Sequence, residues 1–168
     1  MIKFSTISSF TNVQTFPNIK THEPLADNTL VVPNHVAKVT ALPTAATAQG
    51  KDLCVIMQNF SSYVGDKFFD PLNVEGAVIP KGENVLCIGL ESINTRSLDI
   101  DSNHITGTFS SITSGTYLVA GTDGKFAISG TSAPSSHKMY FLVTDIISSL
   151  AKPLTESAGG VRVKIIIP

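Results

Sequence analysis

From Leu30 onward the chain reads as short segments in which apolar and polar positions alternate. This period of two lays every other side chain on one face of a β-strand. "TLVVP" is the first such segment and ends at Pro33, and "HVAKVTAL" sets Val36, Lys38 and Thr40 against Ala37, Val39 and Ala41. In "KDLCVIMQNF", Leu53, Val55 and Met57 share one face and Cys54, Ile56 and Gln58 the other. With both faces largely apolar, this segment predicts a central strand covered on both sides. "AVIPKGENVLCIGLES" predicts a strand, a turn at Pro80-Lys81-Gly82 and a second strand through Leu90. Gly89 inside that strand marks a bulge or a close approach.

In "SLDIDSNHITGTF", Leu98 and Ile100 face one way, and Ile105 and Phe109 resume the apolar face. Asp101-Ser102-Asn103 between them predicts a turn held by side-chain bonds to backbone. "SGTYLVAGTDGKFAISG" places two apolar runs around Asp123-Gly124, with Tyr117 and Val119 on one face and Phe126 and Ile128 likewise. Asp-Gly tolerates the positive φ angles of a type I′ turn, so a tight hairpin is predicted. "HKMYFLVTDI" reads as a buried strand, and a short helix is expected from Ile146 to Lys152, ended by Pro153. "VRVKIIIP" closes the chain with Val161, Val163, Ile165 and Ile167 on one face.

"PTAATAQG" is a small-residue connector, and 61–76 is an irregular, aromatic-rich loop. The sum is roughly nine or ten short strands, which predicts an all-β fold: a single β-sandwich or β-barrel domain with at most one or two short helices. Residues 1–30 have weak periodicity and carry Pro17 and Pro24, so they read as an extended N-terminal arm ahead of a domain over 31–168. The apolar residues Phe4, Phe10, Phe16 and Ile19 are the arm's candidate anchors. They would add backbone to a partner or pack on the chain's own domain.

Composition sharpens this picture. Of 168 residues, 42% are apolar and only 15% charged, while 18 are Ser and 17 Thr. A weakly charged surface suits contact with other protein, because charges are costly to desolvate at an interface core. It also suits a plain β surface. The net charge is −1 and the basic residues are dispersed, so a nucleic-acid partner is not expected. The longest apolar runs, such as Val85-Leu86-Cys87-Ile88, fall far short of the roughly 20 residues of a membrane-spanning helix. "MIKFSTISSF" lacks the unbroken apolar stretch of a signal peptide, so assembly in a cytoplasm is expected.

Candidate chemistry is sparse. Cys54 and Cys87 sit inside apolar runs and read as reduced core thiols, or as a cross-strand disulfide in an oxidising compartment. Asp99, Asp101 and Asn103 open like a calcium loop, but His104 stands where Gly belongs and Ser110 where Glu belongs. A turn between strands accounts for them more simply. His22, His35, His104 and His137 are scattered without metal-ligand spacing. Gly121 to Lys125 imitates a phosphate loop, yet Val119 occupies the first glycine position and a strand pattern follows. Glu75, Glu83, Glu91 and Glu156 look like exposed turn charges. No catalytic residue, cofactor or metal is expected, and the chain is not expected to be an enzyme.

"GTYLVAGTDGKFAISGTSAPSSHKMYFLVTDI" followed by "GGVRVKIIIP" resembles the C-terminal part of capsid-decoration and auxiliary head proteins of tailed bacteriophages. "EPLADNTLVVPNHVAKV" resembles their lead-in, and together the segments span about half the chain. The resemblance implies a virion protein on the capsid surface, assembled in the host cytoplasm. It implies binding to the major capsid protein through the arm and one barrel end, and self-association, commonly as a trimer. The chain is longer than the minimal members of that family, which sets simple trimeric knob geometry in question. The alternative is a host-surface-binding module of adhesin or fibre type, contacting through 60–76 and 129–137.

Overall fold

The computed structural model describes residues 2–3, 15–26, 28–57, 78–93, 96–150 and 158–168. In chain order the strands are β1 (Ile2–Lys3), β2 (Thr15–Lys20), β3 (Leu25–Ala26), β4 (Leu30–Asn34), β5 (Val39–Ala41), β6 (Cys54–Met57) and β7 (Val78–Ile79). There follow β8 (Asn84–Gly89), β9 (Ser97–Asp101), β10 (Ile105–Thr106), β11 (Tyr117–Ala120), β12 (Phe126–Gly130), β13 (Tyr140–Leu150) and β14 (Ala158–Ile166). Helical content among the described residues is limited to 3-10 turns of three or four residues. The fold is all-β, as expected. It has more strands than the alternation predicts because β1, β3, β7 and β10 are only two residues long, too short to show a period.

Five strands close into a barrel in the order β2-β5-β4-β6-β8. Seven form a sheet in the order β1-β9-β14-β13-β11-β12-β10, and β3 pairs with β7 alone. The doubly apolar segment at 53–57 explains how barrel and sheet join. Cys54 and Ile56 belong to one buried cluster with Ile19, Val31, Val85 and Cys87, the filling of the barrel. Their alternates Leu53 and Val55 belong to another, with Leu30 and Ile88 from the barrel and Ile100, Phe141, Val161 and Val163 from the sheet. The barrel wall is therefore apolar on both surfaces, and the sheet covers its outer one.

The sheet is organised on the β13–β14 hairpin, with β9 on one side and β11 on the other. Val161, Val163 and Ile165 are completely buried, as the closing alternation predicts. Phe126 and Phe141 meet edge-to-face with centroids 4.9 Å apart, a favoured aromatic geometry.

Four expectations are corrected. His35–Lys38 does not extend the strand: it is a turn between β4 and β5, in which Asn34 Oδ1 accepts the N–H groups of Val36 and Ala37 at 3.1 and 2.9 Å. Lys38 completes that turn with φ 56°. The Asp123-Gly124 hairpin is present, but Ala120 pairs with Phe126, so the loop is longer than two residues. Only Gly124 of the pair has positive φ, 75°, which fits a type I turn closed by a left-handed glycine. The helix expected from Ile146 is strand as far as Leu150, paired Ile146 to Val161 and Ile147 to Gly160; residues 151–157 lie outside the described part. Finally, the stretch read as an arm contributes Thr15–Lys20 to the barrel, antiparallel to β8.

Candidate functional site

At one place on the barrel, β2, the start of β6, the end of β8 and the turn after β4 surround a groove of about 120 Å³. Its buried floor is Pro33, Leu53, Cys54 and Gly89, and its rim carries His35, Lys51, Asp52 and Glu91, with Phe16 alongside. The Cys54–Gly89 pairing of β6 with β8 brings Lys51 and Glu91 within reach. Lys51 Nζ lies 2.5 Å from Glu91 Oε1. The hydrogen bond to Glu91, then the charge of Glu91, raise the Lys51 pKa. The His35 ring packs on Phe16 with centroids 4.6 Å apart and planes tilted by 57°. Ligand pockets for organic molecules usually span about 300–1,000 Å³, so this groove is matched to a single side chain or a few waters.

Among the anchor candidates, Ile19 is buried inside the barrel and Phe16 packs against the same cluster, so both serve the chain's own domain. Phe4 and Phe10 lie outside the described residues, as does the 60–76 loop. Asp99, Asp101 and Asn103 are divided among structural tasks. Arg162 Nε and Nη2 donate to Asp99 Oδ1 and Oδ2 at 2.8 and 3.1 Å. Arg162 stands directly across from Asp99 in the β14–β9 register. Asp101 Oδ1 accepts the Asn103 N–H at 2.7 Å, the turn that the sequence predicts.

The histidines stay apart. His22 Nε2 lies 2.9 Å from Glu23 Oε1, and its Nδ1 is 3.3 Å from Thr40 Oγ1. His137 Nδ1 is 3.1 Å from Ser136 Oγ, and burial lowers the His137 pKa. Among the described residues, no three His, Cys, Asp or Glu side chains gather as a metal site. Both cysteines are free and buried. Burial pushes the Cys54 thiol far up and the Cys87 thiol to about 12, which suppresses the reactive thiolate. Strands flank the Gly121–Lys125 loop on both sides, and Asp123 within it accepts Thr106 Oγ1 at 2.6 Å and Lys125 N at 3.1 Å.

Sequence reasoning did not find the groove. Its charges come from stretches around 35, 51 and 91 that only the barrel's pairing brings together. Glu91, read as an exposed turn charge, is half-buried and ion-paired. The apolar strand following Lys51-Asp52 was the available signal, but nothing in the sequence names the partner on β8. Comparison with known protein families, curated proteins and solved structures gives no match. The functional reading therefore rests on the chain's own geometry and chemistry.

Proposed function

We propose that the chain is a structural virion protein that decorates or cements a tailed-phage capsid by binding major capsid subunits. It would act on the capsid surface, as an oligomer, after assembly in the host cytoplasm. The observation that carries this reading is where the polar chemistry goes. Asp99 is tied to Arg162, Asp101 to a turn, Asp123 to Thr106 and Lys125, and both thiols are buried. These described groups hold strands and turns together, which suits a protein that works through its surface.

That surface also supports the reading. Val36 is 95% exposed and Val78 60% exposed, single aliphatic knobs on a shell otherwise low in charge. The two C-terminal segments resembling decoration proteins form β11–β12 and β13–β14, neighbouring hairpins of the sheet. Expressed together with the major capsid subunit, the chain is expected to sediment with assembled shells at a fixed ratio. A chain that stays at the top of the gradient overturns the proposal. Recognition of a host glycan or receptor without shell binding transfers it to the adhesin class.

A further inference from the structure

We infer that the groove on the barrel takes up one arginine side chain of a protein partner. The preference for arginine rests on the groove alone; that the arginine belongs to a capsid subunit rests on the reading above. All the residues around the groove lie in the described part of the chain. Its size, about 120 Å³, suits one side chain. Pro33 and Leu53 are buried in its floor and offer apolar contact to a side chain's hydrocarbon stem. The frame is fixed before anything binds. Cys54 pairs with Gly89, and the Leu90 N–H donates to the Leu53 carbonyl at 2.9 Å. Asn34 Oδ1 holds the turn that carries His35. A rigid frame spares the cost of ordering it on binding.

The occupant follows from charge and shape. Lys51, Asp52 and Glu91 are the charged residues of the rim. Lys51 and Glu91 answer each other through their ion pair. Asp52 is exposed, and among the described residues its side chain has no hydrogen-bond or ion-pair partner. The rim therefore keeps one unanswered negative charge beside an apolar floor, which selects a cation on a hydrocarbon stem. Both lysine and arginine have that form, and the aromatic wall separates them. The rings of Phe16 and His35 pack together and line the groove. A guanidinium is planar, stacks on such rings and meets a carboxylate through two parallel N–H bonds. A lysine ammonium is a compact, strongly hydrated point charge and gains less from both. One residue beyond His35, Val36 is 95% exposed and offers the partner an apolar contact that helps to keep water from the new ion pair.

Two measurements on the full chain test this. In nuclear magnetic resonance titrations, N-acetyl-L-arginine methylamide is expected to shift the Leu53 and Gly89 amide signals saturably. The lysine counterpart should need about tenfold more for the same shift, and the uncharged citrulline counterpart should leave the signals in place. Asp52→Asn is expected to abolish the arginine response and to keep the wild-type melting temperature, since no bond among the described residues uses the Asp52 side chain. In sedimentation with coexpressed capsid shells, Asp52→Asn is expected to bind about tenfold or more weakly. Glu83→Gln, which removes an exposed carboxylate outside the groove, should bind like wild type. Equal responses to the arginine and lysine probes, an arginine response that survives Asp52→Asn, or equal losses of shell binding in the two variants overturn the inference. Shell binding without any arginine response sinks this inference alone. A groove that takes arginine on a chain that ignores shells sinks only the proposed function.

Discussion

Asp101 has no accessible surface, and a carboxylate in that position is costly unless its charge is answered. Burial raises its pKa, but the hydrogen bond from the Asn103 N–H and the charge of His104 lower it. The net value lies below the ordinary 3.8. A depressed folded-state pKa means that the native protein binds this proton less readily than the unfolded chain does. The stabilisation is therefore complete above the unfolded value and is lost as pH falls through the folded one. Asp101→Asn keeps an acceptor for Asn103 but does not titrate. The variant is expected to be less stable than wild type near neutral pH, by about 1 kcal/mol. The gap should close as pH drops below 3.8. Urea midpoints of both proteins across that range check this, and a gap independent of pH would refute the assignment.

At the scale of elements, the turns decide what the strands can do. Gly124 closes the β11–β12 hairpin, and its carbonyl accepts the Leu30 N–H at 2.8 Å, which ties the hairpin to the barrel. It combines φ 75° with crowding: a Cβ there would run into the Thr29 methyl and sit 3.1 Å from the Leu30 carbonyl oxygen. Gly115 has φ 92° and nothing within 4 Å of the same hypothetical atom. Gly115→Ala is expected to cost about 1 kcal/mol from backbone strain alone. Gly124→Ala is expected to cost about 3 kcal/mol or more, because strain and overpacking act together. Equal losses in thermal or urea unfolding would show that crowding at Gly124 is relieved by repacking. The contrast also shows what was legible beforehand. Asp-Gly announced a turn, and the doubly apolar 53–57 and the alternation at 161–167 announced a covered strand and a closing one. The turn's class was hidden because it depends on a contact with β4, far away in sequence. Ile146 and Leu150 are spaced as well for a helix as for a bulged strand, and pairing with β14 settles the matter. The groove was hidden for the same reason, since its rim is assembled from three distant stretches.

For the whole molecule the deciding fact is a core shared between barrel and sheet. Leu30, Val55 and Ile88 are almost fully buried on the barrel's outer surface, against Ile100, Phe141 and Val163 of the sheet. Exposing a fully buried Val, Leu or Ile costs about 1.5–3 kcal/mol. Three of them together amount to roughly 5–9 kcal/mol, comparable to the whole stability of a typical domain, about 5–15 kcal/mol. A barrel stripped of its sheet is therefore not a populated state, and the two should unfold together. Cys87, inside the barrel, reports on one part: with its pKa pushed up to about 12, it should resist alkylation until the barrel opens. The chain has three tyrosines and no tryptophan, and Tyr117 and Tyr140 pack edge-to-face on the sheet with centroids 5.5 Å apart. In a Tyr63→Phe background, the near-ultraviolet tyrosine signal then reports on the sheet. Thiol labelling and tyrosine dichroism are expected to give the same urea midpoint. If the thiols become reactive while the tyrosine signal is still native, the barrel opens independently, and the shared core does not bind the two halves into one cooperative unit.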